Sequence, residues 1–256
     1  MKANTIIAKM IIPVLVLVSA NAKAQQFINK AEIEYEVKTS VKKTMGNDSW
    51  DEKMKDLMSD FKTGYFRFIF DGNKSIYKFD RWAPTTKVPE YLRRNDEENI
   101  WYFDHENNRF NVQKQVFGTS FISQDTIPVI NWKMVNESRV IAGFNCRKAV
   151  GKISDSVYVF AFYTDEITIS GGPCSISGLP GMILGVTIPR MYVSFIATKV
   201  QVNNVPVAEI KPVESKKYFS RASLYTLIQE RTKEWIEDDD ADSKRWREHL
   251  LWSIML

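Results

Sequence analysis

The chain has 256 residues, 44% of them hydrophobic and 26% charged, a balance that supports a sizeable buried core and excludes a disordered or low-complexity polypeptide. Its 35 basic and 31 acidic residues leave a formal charge of +4, too little for the basic face that nucleic-acid binding requires. Two histidines rule out a three-histidine metal site, and two cysteines allow at most one disulfide.

Residues 1–24 read as a secretory signal peptide. Lys2 and Lys9 accompany an apolar run from Met10 to Val18, and Ala22-Lys23-Ala24 supplies a small-x-small cleavage site. The run falls well short of the roughly 20 residues of a membrane-spanning helix, and no cysteine follows the cleavage site to carry a lipid. The expected protein is exported, periplasmic or extracellular, and not membrane-spanning once the signal is removed. Removal takes Lys2, Lys9 and Lys23 and lowers the charge to about +1.

From Phe27 the chain alternates, with Ile33, Tyr35 and Val37 set against Glu32, Glu34 and Glu36, the period of a strand with one wet face. Ser49 and Glu52 then form a capping box ahead of Trp50, Met54, Leu57, Met58 and Phe61, which predicts an amphipathic helix over 49–62. Two hairpins follow: 65–70 with 75–79 around Asp71-Gly72-Asn73, and 99–103 with 109–117 around 104–108. Further strand-like runs cover 132–135, 138–141, 144–150, 157–163, 182–188 and 192–202 without intervening helices, which implies antiparallel pairing.

Cys146 and Cys174, an even pair in an oxidising compartment, read first as a disulfide; two free thiols are the alternative. Between Gly171 and Gly185 the chain places five of its eleven glycines. Leu179-Pro180-Gly181-Met182 suits a type II turn, because proline presets φ at the second position and glycine accepts positive φ at the third. A phosphate cradle fails on context, since this loop opens the apolar run Met182 to Ile188 and not a helix.

Phe162-Tyr163-Thr164-Asp165-Glu166-Ile167, Gly172-Pro173 and Gly178-Leu179-Pro180-Gly181-Met182-Ile183-Leu184 together resemble the signature of the GLPGLI family of uncharacterised secreted proteins of Bacteroidota-type bacteria. Ile141 to Ala149 is similar to a second block of that family, with Phe144 in place of its tyrosine, Met182 in place of a leucine, and Cys174 where an aromatic is more usual. The resemblance covers roughly 132–190 and implies export; the family brings no activity with it.

Beyond Pro212 the pattern turns helical, with Leu224, Ile228, Trp235 and Ile236 on one face and Trp246, Leu250 and Ile254 on another, separated by 238–242. The predicted fold class is α+β, mainly β: a curved antiparallel sheet or half-barrel over 25–212 with an N-terminal amphipathic helix. A helical segment, 213–256, packs on or extends from the same domain. The nearest analogy is a periplasmic lipoprotein-carrier half-barrel, at the level of fold only.

Catalytic patterns are absent from the sequence. Neither His105 nor His249 sits in a His-Glu-x-x-His motif, and no Gly-x-Ser-x-Gly elbow occurs. Adjacent Asp165 and Glu166 point to opposite faces of a strand, and the acidic run 237–242 lacks the glycine and terminal glutamate of a calcium loop. The expectation is therefore a protein without enzymatic activity, metal or cofactor. Seven Trp, ten Tyr and fifteen Phe are a heavy aromatic load. Trp82, Trp101, Trp132, Phe68, Phe70 and Tyr102 serve either plain core packing or a concave apolar face that accepts an acyl chain or an extended peptide. The candidate residues for such a site are Gly178, Leu179, Pro180, Gly181 and Met182 of the loop, with Trp101, Trp132 and Tyr163. An interaction module docking on outer-membrane transport or secretion machinery is the second expectation, and a hydrolase acting on peptide or envelope material the third.

Overall fold

The computed structural model describes residues 27–45, 49–154, 156–235 and 241–256. The predicted signal peptide of 1–24 and the acidic run from Glu237 to Asp240 lie outside the described residues, as do the side chains of Ser49 and Trp50.

Eleven antiparallel strands form one unclosed sheet: β1 (Lys30–Ser40), β2 (Phe61–Asp71), β3 (Lys74–Trp82), β4 (Ile100–Asp104), β5 (Arg109–Val116), β6 (Thr119–Thr126), β7 (Lys133–Ile141), β8 (Phe144–Ser154), β9 (Val157–Thr164), β10 (Met182–Ile188) and β11 (Val193–Gln201). Their order is β6-β5-β4-β3-β2-β1-β11-β10-β9-β8-β7, so β1 joins two meanders. The mainly β, antiparallel expectation is met. Five helices accompany the sheet: α1 (Val41–Thr44), α2 (Ser49–Leu57), α3 (Arg94–Glu98), α4 (Arg221–Trp235) and α5 (Ala241–Met255). None among the described residues is long and apolar enough to cross a membrane.

The helix predicted over 49–62 stops earlier, because Phe61 begins β2, and Leu57 of its apolar stripe is 76% exposed. The runs 132–135 and 138–141 are one strand, β7, interrupted by an irregularity between Val135 and Ser138. β6 was not legible: Thr119 to Thr126 holds only two adjacent apolar residues, Phe121 and Ile122, and no alternation. Pairing with β5 makes it a strand, and Phe219 covers its free edge through Gln124 N–H to Phe219 O and Phe219 N–H to Ile122 O, both 2.9 Å.

Period-2 alternation sets the two faces. On the inner one, the register carries a row across six strands, Ile33, Phe68, Tyr77, Trp101, Val112 and Ser123. On the outer one, Glu32 and Glu34 of β1 meet Arg67 and Arg81 at 3.1 and 2.8 Å, and Glu209 adds pairs to Arg67 and Lys78. The inner face is buried in two places. Segment 165–181 crosses it, bringing Ile167, Ile169, Ile176 and Leu179 into the core, and Leu256, just beyond α5, joins the same cluster. A smaller cluster packs Leu224 and Ile228 of α4 and Leu251 and Ile254 of α5 against Val116 and Phe121.

The expected disulfide is not formed; both cysteines are buried and free. Cys146 shares the outer side of β8 with Lys148 and lies opposite Arg139, which stacks over Phe162. Cys174 lines the inner face with Tyr77 and Trp101. The sheet stands between the thiols, and a bond needs their Cβ atoms about 4 Å apart. Burial raises the Cys146 thiol to about 11 and the Cys174 thiol to about 12.

Candidate functional site

The Gly-Leu-Pro-Gly loop is packed solid. Gly181 N–H donates to Leu179 O at 2.8 Å, a three-residue turn centred on Pro180, while Met182 N–H goes to Ile167 O at 3.1 Å. The predicted type II turn is thus replaced by a tighter one, because the amide that would close it is taken by the neighbouring segment. Gly181 has φ +134°, and a Cβ there would collide with the Thr164 carbonyl oxygen, so no other residue fits. Leu179 and Met182 are buried, and Gly178 and Pro180 are exposed. Trp132 braces the loop by donating from Nε1 to Ser177 O at 2.9 Å, and Tyr163 lies nearby on β9 with its hydroxyl 3.5 Å from Met134 Sδ. Seven of the eight sequence-predicted residues therefore belong to this packed region around the loop.

Trp101 stands apart. It lines a chamber of about 280 Å³ between the inner face and α5, walled by Val37, Phe66, Tyr77, Val193 and Phe195 and roofed by Leu250, Ile254 and Leu256. At a neck formed by Tyr91, Leu92, His249 and Leu250 the chamber meets an outer cleft of about 730 Å³ that reaches Phe117 and Trp246. Those two rings stack at 6.0 Å and are 41% and 42% exposed.

The roof is fastened by polar contacts. Trp101 Nε1 and Ser175 N–H both donate to Leu256 O, at 2.8 and 2.6 Å, and Arg221 donates to Met255 O at 2.8 Å. Lys114 is the residue that composition and spacing did not reveal. It is 4% exposed, its ammonium lies 4.2 Å from the Trp101 ring centroid, and it donates to Ser253 O at 3.1 Å. No carboxylate among the described residues stands within ion-pair distance of it. Burial pushes its ammonium down to about 8, against the pull of Cys174 and Asp96. The signal was present in the sequence: Phe110, Val112, Lys114 and Val116 alternate along β5, and Lys114 occupies an inward position.

Other polar groups complete the chamber. Tyr77, fully buried, has a hydroxyl without a hydrogen-bond partner. Burial raises its phenol well above the ordinary range, so it stays a neutral donor. Gln115 is also buried, with Oε1 unpartnered while its amide nitrogen binds Glu98. At the neck Lys62 and Asp96 pair at 2.5 Å and cancel in charge. His249 Nε2 lies 3.2 Å from Met191 O, and burial lowers its pKa. Cys174 adopts φ +54°, an uncommon conformation for a residue with a side chain, where segment 165–181 meets the chamber.

A family model described as "Protein of unknown function (Porph_ging)" matches residues 151–185, from the end of β8 through β9 and the Gly-Leu-Pro-Gly loop into β10. No curated protein matches the chain. Among solved structures, PNGF-II in space group C2 is similar, with TM-score 0.52 at 14% identity over 78% of this chain and 32% of that one. PNGF-II in space group P21 gives TM-score 0.49 at 15% identity over 75% and 32%. An uncharacterized conserved protein from Thermus thermophilus gives TM-score 0.36 at 10% identity over 82% and 97%. The chain covers about a third of the length of PNGF-II, and at 14% identity the likeness to the C2 form shows fold alone.

Proposed function

We propose that this chain is an exported binding protein of the GLPGLI type that holds a small apolar ligand in the chamber beneath α5 and does not transform it. The chamber itself carries the reading: a space lined by aromatic and aliphatic side chains together with polar ones, sharing a neck with an outer cleft, has the make-up of a ligand site. The sequence expectation placed the ligand beside the Gly-Leu-Pro-Gly loop. The chamber favoured here is lined by β1 to β5 and β11, and the loop residues are not part of its lining.

A neutral apolar dye, N-phenyl-1-naphthylamine, tests it. Saturable binding at one site per chain, weakened by Leu250→Trp at the neck, is the expected result. Binding that never saturates, or that ignores the neck substitution, overturns it. Docking on an outer-membrane partner is a second reading, favoured by the half-exposed Phe117 and Trp246 pair. Native mass spectrometry of the protein from its own periplasm separates the two: a co-purified small molecule supports the chamber, and a co-purified protein with an empty chamber supports docking.

A further inference from the structure

We infer that the ligand of this chamber is a monocarboxylate amphiphile, its acid head seated against Lys114 and its hydrocarbon chain leading through the neck to the outer cleft. The inference rests on the chamber being a ligand site and names the class of molecule that fits it. Lys114 is the starting point. An ammonium offers three N–H donors, and here Ser253 O accepts one while the Trp101 ring covers a side. A buried cation without a counter-ion is costly, and natural proteins supply a partner for it. Nothing in the described part of the chain supplies one, since Asp96 is matched by Lys62.

The lining around Lys114 is the second observation: Phe66, Trp101, Phe195, Ile254 and Leu256 face the same space and suit a hydrocarbon chain. A carboxylate oxygen accepts from an ammonium N–H that Ser253 O leaves free, in a charge-assisted hydrogen bond. Charge selects the class further. One uncompensated cation lines the chamber, so a monoanion is neutralised, whereas a phosphate monoester would bury a surplus negative charge. Lys62 also lines the chamber but is paired with Asp96, and Arg221 is held to Met255 O at the end of α5 and is not part of the lining. Val37, Phe66, Phe195, Ile254 and Leu256 line the chamber beside its polar residues, and Tyr91, Leu92, Leu250, Phe117 and Trp246 give an unbranched chain an apolar path outward.

The test displaces the neutral dye with three twelve-carbon probes that share a tail and differ in head: dodecanoate, dodecanol and dodecyl phosphate. At pH 7 dodecanoate is expected to bind about tenfold more tightly than dodecanol, the scale of one charge-assisted hydrogen bond, and more tightly than dodecyl phosphate. Lys114→Met, close in volume and apolar, is expected to bring the acid-to-alcohol ratio to about one. The head-group comparison in the unaltered protein stands whether or not that variant folds. Equal binding of acid and alcohol, tighter binding of the phosphate, or a ratio that survives Lys114→Met overturns the assignment while leaving the chamber as a ligand site. Failure of the dye itself to bind refutes the chamber and this inference together.

Discussion

Trp101 on β4 and Leu256 beyond α5 are joined by a hydrogen bond of 2.8 Å from the indole nitrogen to the leucine carbonyl, across the roof of the chamber. The contact ties the helix to the sheet at the point where the aromatic row passes beneath it. Trp101→Phe keeps most of the ring packing and removes the donor, leaving Leu256 O with Ser175 N–H alone. The expected loss is about 1–2 kcal/mol, read as a lower urea midpoint. Faster amide exchange in α5 than in β4 would show that the roof is what loosens.

Lys114 predicts a pH dependence with a definite sign. Its folded pKa, about 8, lies below the ordinary 10.5, so between those values the unfolded chain binds more protons and stability rises with pH. Below about pH 8 the charged form costs the fold up to roughly 3 kcal/mol. Cys146 and Cys174, raised to about 11 and about 12, oppose this above pH 9, where the unfolded chain releases its thiol protons first. The difference between the unaltered protein and Lys114→Met isolates the lysine. The variant is expected to be the more stable at pH 7, with the gap closing toward pH 10; a gap independent of pH contradicts the lysine's burial.

His249 acts at the acid end. Burial holds its folded pKa below the ordinary 6.5, so the unfolded chain takes up the proton first as pH falls through that value, and stability drops. His249→Gln keeps a donor for Met191 O and removes the titration. Its urea midpoint is expected to vary less between pH 7 and pH 5 than that of the unaltered chain.

The two loop glycines separate space from conformation. At Gly181 a Cβ would collide with Thr164 O, so Gly181→Ala is expected to cost about 3 kcal/mol or more. Gly178 also has positive φ, +94°, but a Cβ there meets nothing closer than 3.5 Å, and Gly178→Ala is expected to cost about 1 kcal/mol. Thermal melts of the pair measure the difference.

Thiol chemistry checks the cysteines. With both buried, free and raised in pKa, the native protein is expected to resist alkylation at pH 7.5 and to take up two equivalents after denaturation without reductant. Two fewer equivalents would reveal a bond.

The sheet was legible wherever one face is apolar and the other charged. The glutamates and apolar residues of β1 mark out the strand and its faces unaided, and Asp71-Gly72-Asn73 marks the turn between β2 and β3. β6 was hidden because its burial comes from α4, whose Leu224 and Ile228 cover Phe121 from about a hundred positions later in the chain. The chamber was hidden for the same reason: β5 and α5 meet only in three dimensions. Lys114 was readable as a break in alternation, but the pattern alone cannot say whether an inward lysine ends in a cavity or reaches round to solvent. Gly181 does bring backbone close to backbone, against Thr164 of the protein's own β9, whereas a Cβ at Gly178 would meet nothing closer than 3.5 Å.

The place of β1 in the strand order governs assembly. Its one side pairs with β2 soon after in the chain, yet its other side pairs with β11, Glu32 opposite Gln201, so that flank stays open until nearly the whole domain has been threaded. Contacts so distant in sequence slow folding. A chain that emerges from its N-terminus therefore holds β1 half-paired until β11 arrives, and the two meanders are joined last.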